Sequence, residues 1–390
     1  MIRSVVSEMI QRGYKFTVCA SKGLCCHWLV YIVLQKSDKV LSQAGQTMRI
    51  ATIFPRWLML ALLPFLLSCG GGGSSGVPAE TDWQVFKSLF VQTDGRVIDT
   101  GNAGMSHSEG QGVTMLLAVQ NNDRATFDAV WKWTQSNLQI RSDKLLAWSW
   151  VPGTGVTDTN NASDGDVFVA WALVRASRKW NEPVYLAPAK DILLAVRGKL
   201  LRTTSRGVVL LPGAVGFEKT QGPVLNLSYW LFPAFNELAT ADPSTDWAAL
   251  KASGVALLNQ ARFGRWGLPP DLMMAGTTLT PYDNMRFGYA AVRVPLYMLW
   301  GKVDTPALLL PFQNFWGQFQ VTSFVPAWTN VVDNTLDTTN ATVGMRGIAQ
   351  FTLGVPGFNA NQLPALDRTQ GYYSASLLLL TKLAIAERGL

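Results

Sequence analysis

Cysteine and histidine are scarce in this chain. The four cysteines are Cys19, Cys25, Cys26 and Cys69, and no cysteine follows the last of these. The segment after residue 69 therefore has neither a disulfide framework nor a thiol nucleophile. It also has a single histidine, His107, which argues against His-based zinc sites and against a Ser-His-Asp triad unless His107 serves in one.

Charge is low as well, and it is unevenly distributed. Charged residues make up 15% of the 390 positions and hydrophobic residues 48%, a composition typical of a globular protein with a sizeable core. The net charge of +7 arises mostly before residue 69, where eight Lys and Arg accompany two acidic residues. The remainder has 25 basic and 24 acidic residues, so it offers no electrostatic footprint for nucleic acid and fits a near-neutral substrate.

The most apolar stretch lies early and indicates an export signal. Residues 57–67 are an apolar run of about 11 residues, which is shorter than the roughly 20 residues of a membrane-spanning helix. We predict a signal peptide over residues 48–69 that ends in a lipobox, Leu66-Leu67-Ser68-Cys69, with the lipid on Cys69. An ordinary signal peptide cleaved nearby is the alternative. The expected location is the periplasm or the outer membrane, as a lipoprotein, or otherwise the medium.

The residues before this signal have no place in it. Met48 begins a complete signal by itself, and the basic regions of signals are short. Residues 1–47 therefore either precede the true start of translation or form a cytoplasmic extension. After Cys69, the Gly/Ser-rich residues 70–80 predict a flexible tether. Residues 81–390 follow as one domain without a further low-complexity break.

Helical periodicity recurs through that domain. Apolar residues three and four positions apart predict amphipathic helices, and the segments between them are rich in Gly, Asp, Asn, Pro and Thr. No segment alternates polar and apolar residues over several strands. The sequence therefore predicts an all-α fold in which helical hairpins close into an α/α toroid with a groove at one rim. The predicted helices lie near residues 83–90, 113–119, 127–131, 167–176, 193–201, 247–258, 292–300 and 372–385.

Two polar segments contain the candidate site residues. Glu109 lies in S-E-G-Q-G over residues 108–112, where Ser108 could cap a helix whose dipole favours an ionised Glu109. The two glycines weaken this structural interpretation, because they cost helix stability and let a ligand approach the backbone. Asp164 and Asp166 lie at the start of a later helix, where both could be caps. Asp164, which is flanked by small residues, is the better candidate for facing a ligand.

These segments resemble those of family-8 glycoside hydrolases. Residues 108–112 are similar to the segment that holds the general acid of the family. Residues 162–180 are similar to the family signature, with Val169 where Ile or Met is usual. The resemblance runs from about Trp83 to Trp300 and is weaker beyond. Three further stretches are similar to the endoglucanases of cellulose-synthesis operons: residues 95–100, 122–127 and 145–150.

The resemblance implies that residues 81–390 form an (α/α)6 barrel that hydrolyses β-1,4-glucan with inversion at the anomeric carbon. Inversion needs one protonated carboxyl on the leaving oxygen and one carboxylate that activates water on the opposite face, about 6.5–9.5 Å away. Glu109 would be the acid, and Asp164 would hold the sugar at the cleavage site. Burial, or a neighbouring carboxylate such as Asp164, would help Glu109 to keep a proton near neutral pH.

The position of the base departs from the family pattern. Relatives usually have Tyr-Asp-Ala-x-Arg before an apolar helix, and this chain has Ala290 in place of the aspartate. Alanine cannot take a proton from water, so either another carboxylate does so or the activity is impaired. Asp283 is the first candidate, although Asp is also common in such turns, and Asp158 is a further one. Loss of a general base typically costs a factor of roughly 10² to 10⁴ in rate.

Aromatic residues suit a sugar-binding groove, because flat rings stack on the C–H faces of glucose and their polar edges bond to hydroxyls. We expect Trp148, Trp150 and Tyr229 to contact the substrate, since they lie beside loop residues, whereas most tryptophans of such a toroid belong to the core. Asp166 is another binding candidate. Arg293 would orient a carboxylate or bond to a sugar hydroxyl, with a buried ion pair as the alternative.

Three functions are compatible with these residues. The first is an inverting endo-β-1,4-glucanase, or cellulase, linked to bacterial cellulose production. The second is a catalytically impaired glucan-binding lipoprotein, and the third is the same scaffold acting on xylan or chitosan. None implies a metal or an organic cofactor. The expected partners are a β-1,4-glucan, a membrane reached only through a lipid on Cys69, and the cellulose-synthesis machinery; nucleic acid is not expected.

Overall fold

The computed structural model describes residues 14–22, 28–36 and 80–390 of the chain. The chain divides into two units, residues 1–75 and 76–390. In the first unit, β1 (Tyr14–Lys22) and β2 (Trp28–Lys36) form an antiparallel hairpin. The predicted signal peptide with Cys69, and the predicted tether apart from Glu80, lie outside the described residues. The predicted domain boundaries therefore stay predictions.

Eleven α-helices dominate the second unit within the described part of the chain, as the all-α prediction requires. Three of them were not predicted: Phe232–Ala241, Pro306–Trp316 and Val343–Gly354. Pro311 lies inside the second of these helices, and three glycines interrupt the apolar pattern of the third. The helices are α1 (Asp82–Phe90), α2 (Ser108–Gln120), α3 (Arg124–Asn137), α4 (Ser163–Trp180), α5 (Leu186–Lys199), α6 (Phe232–Ala241), α7 (Trp247–Gln260), α8 (Arg293–Trp300), α9 (Pro306–Trp316), α10 (Val343–Gly354) and α11 (Tyr372–Arg388).

The helices pack in a closed circuit. α2 contacts α4, α4 contacts α6, α6 contacts α8, α8 contacts α11, and α11 returns to α2. Five other helices pack against this circuit: α1 on α11, α3 on α2, α5 on α4, α7 on α6, and α10 on both α8 and α11; the sixth, α9, packs on α10. Because most residues of α2, α4 and α11 are buried, these helices lack a clear polar face. The result is the toroid predicted from the sequence.

Short strands lie in the loops between these helices. In the second unit they are two to four residues long, which is too short for an alternating pattern to be visible in the sequence. The four strands between Glu218 and Pro281 form an antiparallel sheet in which each strand pairs with the next one along the chain. No helix in the described residues is both long and apolar enough to cross a membrane. The strands are β3 (Ser106–His107), β4 (Ser149–Trp150), β5 (Leu201–Thr204), β6 (Gly207–Leu210), β7 (Glu218–Lys219), β8 (Gly222–Leu225), β9 (Met273–Ala275), β10 (Leu279–Pro281), β11 (Arg286–Phe287) and β12 (Thr329–Asn330).

Candidate active site

Glu109 lies in the first turn of α2. The Nδ1 atom of His107 accepts a hydrogen bond from the backbone N–H of Gly110 at 2.9 Å, so His107, and not Ser108 as predicted, caps this helix. The backbone N–H of Ser108 donates to the carbonyl of Trp148 at 3.0 Å. These bonds fix the backbone on both sides of Glu109, whose side chain stays 30% exposed.

Two glycines bring α2 and α4 into close contact. A Cβ on Gly165 would lie 2.1 Å from Ser108 Oγ and 2.8 Å from the backbone nitrogen of Glu109. A Cβ on Gly112 would lie 2.6 Å from the Cβ of Phe168. The prediction that the glycines near Glu109 admit a ligand is therefore wrong for Gly112, because a neighbouring helix occupies that space. Their effect is to place the first turns of the two helices side by side.

Arg293 joins Glu109 to Asp164. Its Nη1 atom forms a short ion pair with Glu109 Oε1 and lies 3.4 Å from Asp164 Oδ2. Arg293 begins α8 and Asp164 lies in the first turn of α4, and both side chains are buried. The structure thus brings together three residues that were predicted separately. For Arg293 it favours the buried ion pair over a free hydrogen-bond donor.

The surroundings of Asp164 favour its protonated form. Burial raises the pKa of Asp164 to about 7, and the negative charge of Glu109 contributes in the same direction. The positive charge of Arg293 opposes this shift without cancelling it. Asp164, beside Glu109 and Arg293, therefore holds a proton close to neutral pH. A site of this kind can protonate a leaving oxygen.

A histidine–aspartate pair lies beside Glu109. The Nε2 atom of His107 is 3.4 Å from Asp99 Oδ2, and Asn102 also donates to that carboxylate. Burial lowers the pKa of His107, but the hydrogen bond to Asp99 and the charge of Glu109 outweigh it and raise the pKa overall. Because Nδ1 of His107 accepts the N–H of Gly110, the ring proton lies on Nε2, facing Asp99.

These groups open into a cavity of about 250 Å³. Trp148 and Tyr229 line it, as predicted, together with Tyr372 and Tyr373 from α11, which were not predicted. Trp148 is 38% exposed, and its indole N–H donates to Asp158 Oδ2 at 2.9 Å. This bond holds an exposed flat ring beside the two acids, which is the arrangement that stacking on a sugar requires. It also engages Asp158, one of the candidate bases.

Trp150 lies elsewhere and is not among the residues that line the cavity. Its ring packs edge to face against Trp133 with centroids 5.6 Å apart, and the Arg96 guanidinium lies 4.9 Å from its centroid. The prediction that Trp150 contacts substrate is therefore corrected to a packing role. Tyr229 is confirmed at the cavity wall, where the Cζ atom of Arg293 lies 5.9 Å from its ring centroid.

Two predicted carboxylates do not face the cavity. Asp166 is buried and accepts hydrogen bonds from the backbone N–H of Leu146 at 2.8 Å and from Asn161 Nδ2 at 2.7 Å, so it holds a loop rather than a sugar. Burial raises the pKa of Asp166 to about 7. Asp283 lies in an exposed turn between β10 and β11 with φ +64°. This position matches a turn former and corrects the prediction of a base at Asp283.

The turn before α8 contains Ala290, and the carboxylate of Asp271 lies against this turn. Asp271 Oδ1 accepts the backbone N–H groups of Gly288, Ala290 and Ala291 at 3.0, 3.0 and 2.7 Å. Asp271 was missed from the sequence, where it follows two prolines in a segment without periodicity. Asp99, Tyr372 and Tyr373 were also missed, because no local pattern distinguishes them from core or turn residues.

The described residues contain no cluster of three or more metal-binding side chains. What the site offers is acid–base chemistry: a proton held by Asp164 next to a second carboxyl group, a fixed cation, and aromatic walls with hydroxyl groups. This combination suits the protonation of a leaving oxygen on a polar, uncharged substrate.

Comparisons with known proteins agree with this chemistry. The model for glycosyl hydrolases family 8 matches residues 54–387. A probable endoglucanase of Novacetimonas hansenii is 38% identical over 314 residues, which covers 78% of this chain and 90% of the relative. An endoglucanase of Cellulomonas uda is 39% identical over 285 residues, which covers 71% of this chain and 79% of the relative.

Solved structures extend the similarity to the fold. An endo-β-1,4-glucanase from Acetobacter xylinum superimposes with a TM-score of 0.75 at 37% identity, covering 79% of this chain and 98% of that one. A family-8 endoglucanase from Klebsiella pneumoniae gives a TM-score of 0.74 at 37% identity, covering 79% of this chain and 99% of that one. The predicted (α/α)6 barrel is confirmed. The chain belongs to glycosyl hydrolase family 8.

Proposed function

We propose that this protein is an inverting endo-β-1,4-glucanase that hydrolyses cellulose or a related β-1,4-glucan. The observation that carries this proposal is the contact of one Arg293 nitrogen with both Glu109 and Asp164 at an open cavity with an exposed tryptophan. The relatives that match most of this chain are described as endoglucanases. Their similarity favours an active enzyme over an impaired glucan-binding protein, and a glucan over xylan or chitosan.

In this proposal Glu109 is the general acid. Its partly exposed carboxyl protonates the glycosidic oxygen while the bond from that oxygen to C1 breaks. Asp164 orients the sugar at the cleavage point, and Arg293 holds the two carboxyl groups together through its ion pairs. Trp148 supports the neighbouring glucose by stacking. Water attacks C1 from the opposite face and loses a proton to a base, so that the new reducing end is the α-anomer.

The test is reducing-sugar release from carboxymethylcellulose by the full chain. We expect release by the wild type and a loss of at least about 10³-fold in E109Q, because glutamine cannot donate the proton. E218Q is the matched control, since Glu218 lies in an exposed pair with Arg202. The anomer formed first, followed by NMR, should be α. If no β-1,4-glucan is cleaved at high enzyme concentration, the proposal fails.

We further propose that the chain is exported and anchored by a lipid on Cys69, and that it works alongside the cellulose-synthesis machinery. The support is the order of residues 49–69 in the sequence: basic, apolar, then small. Mass spectrometry of the processed N-terminus should find acylated Cys69. C69S should be released from the membrane fraction. An unprocessed N-terminus in the cytoplasm would contradict export.

A further inference from the structure

The first turn of α2, which contains Glu109, is held by a side chain that precedes the helix. The first N–H groups of any helix have no acceptor within it. In α2 one of these groups, the backbone N–H of Gly110, donates to His107 Nδ1 at 2.9 Å. Because Gly110 follows Glu109 directly, this bond fixes the peptide unit between them. The position of Glu109 therefore depends on an imidazole nitrogen that carries no proton.

The other nitrogen of His107 faces Asp99, whose Oδ2 lies 3.4 Å from His107 Nε2. Two donors hold Asp99 in place: the backbone N–H of Gly101 at 2.9 Å and Asn102 Nδ2 at 2.5 Å. A carboxylate only accepts hydrogen bonds, so it favours the imidazole proton on Nε2. The lone pair of Nδ1 is then left for Gly110. Asp99 therefore orients the ring for its contact with α2.

Packing confines the imidazole beside the acid. A Cβ on Gly110 would lie 3.1 Å from His107 Cε1 and 3.1 Å from the hydroxyl oxygen of Tyr372, so both groups lie against a residue that has no side chain. The rings of His107 and Tyr372 meet edge to face with centroids 5.5 Å apart. Both residues line the same cavity as Glu109. The two ring nitrogens of His107 face Gly110 and Asp99, so its task is to hold a protein group, not a substrate.

We propose that His107 is a positioning residue for the general acid: its Nδ1 atom, kept free of a proton by the contact of Nε2 with Asp99, holds the turn that aims Glu109 at the glycosidic oxygen. The proposal rests on the proposed glucanase function. A proton on Nδ1, or the loss of this nitrogen, would leave the N–H of Gly110 without its acceptor. The first turn of α2 would then shift, and a displacement of about 1 Å in a reacting group can cost about 10²-fold in rate.

The deciding comparison is between two replacements of His107 that separate its nitrogen from its volume. Asparagine is smaller, but its oxygen can accept the N–H of Gly110, and it is among the best residues at a helix N-cap. Phenylalanine keeps a ring and has no acceptor. On carboxymethylcellulose we expect H107N to keep kcat within about threefold of the wild type and H107F to lose about 10²-fold, with KM changed less than about threefold in both. If H107F were the faster variant, the imidazole would only fill space, and the proposal would be overturned.

The matched control is D246A. Asp246 caps α7 as His107 caps α2, by accepting the backbone N–H of Ala249 at 2.8 Å, and no residue of α7 lines the cavity. D246A should unfold at a lower urea concentration than the wild type and keep its kcat. If D246A were as slow as H107F, the loss of any helix cap would lower the activity, and His107 would have no special relation to the acid.

The position of the imidazole proton is measured separately, by ¹⁵N NMR of the full chain labelled at histidine. The chain has two histidines, His27 and His107, and the signals that disappear in H107N identify the second. At pH 8 we expect the proton on Nε2 and none on Nδ1. A proton on Nδ1 would overturn the proposal whether or not the enzyme is active, and this measurement also decides it if H107F does not fold. An inactive wild type with the proton on Nε2 would instead refute the glucanase function.

Discussion

The side chain of Ser108 occupies the space that a side chain on Gly165 would need, with a would-be Cβ only 2.1 Å from Ser108 Oγ. This contact holds the first turn of α2 against the first turn of α4. Because Glu109 follows Ser108 and Asp164 precedes Gly165, the distance between the two acids depends on a position that has no side chain. Packing between two helix starts therefore sets the geometry of the site.

Replacing Gly165 by alanine should separate the two helices. The new methyl group would also meet the backbone nitrogen of Glu109, which cannot move like a flexible side chain. We expect G165A to lose about 1–3 kcal/mol of unfolding free energy, as overpacked cores do, and at least tenfold in kcat. Urea denaturation measures the unfolding free energy, and carboxymethylcellulose hydrolysis measures kcat.

The matched control is G198A, because a Cβ on this glycine of α5 would meet no atom within 4 Å. It should be neutral or more stable by up to about 1 kcal/mol, since alanine favours helix formation. Equal stability of G165A and G198A would show that the contact between Ser108 and Gly165 is not tight.

The raised pKa of Asp164 predicts a stability that depends on pH. An unfolded aspartate loses its proton near pH 4, whereas Asp164 in the folded protein keeps it up to about pH 7. The folded state therefore binds more protons between these values, and its stability must fall as pH rises through this window. D164N removes the group, so it should be more stable than the wild type above pH 7, by up to about 4 kcal/mol.

The measurement is the urea midpoint at pH 5 and at pH 8 for both proteins. On going from pH 5 to pH 8, the wild type should lose more unfolding free energy than D164N. Asp166, whose pKa burial also raises to about 7, should leave a residual slope in D164N. Identical slopes in the two proteins would rule out a buried, protonated Asp164.

Arg293 should matter far more than an exposed arginine. Its removal leaves Asp164 and Glu109 without their shared cation in a buried site, and breaking such a pair costs about 3–5 kcal/mol. R293M should therefore lose about this much unfolding free energy together with its activity. R202A is the control, because Arg202 pairs with Glu218 on the surface, where such pairs contribute about 0–1 kcal/mol. Similar losses in the two variants would contradict a buried ion pair.

Much of the fold could be predicted from the sequence because helices depend on neighbours three and four positions away. The apolar spacing in α2, α4 and α11 identified those helices, and the short motifs around Glu109 and Asp164 identified two acids of the site. The helices that were missed, α6, α9 and α10, contain prolines or glycines that hide the periodicity. The loop strands were missed because they are too short to show a pattern.

The sequence by itself determined the all-helical character, the near-neutral charge after residue 69 and the absence of a base at Ala290. Only the tertiary structure decided which carboxylates meet. Arg293 contacts Glu109 across 184 positions and Asp164 across 129, and no local pattern records such contacts. Asp164 and Asp166 are two residues apart on one helix, yet one faces the cavity and the other a backbone loop, because their directions depend on which helices pack beside them.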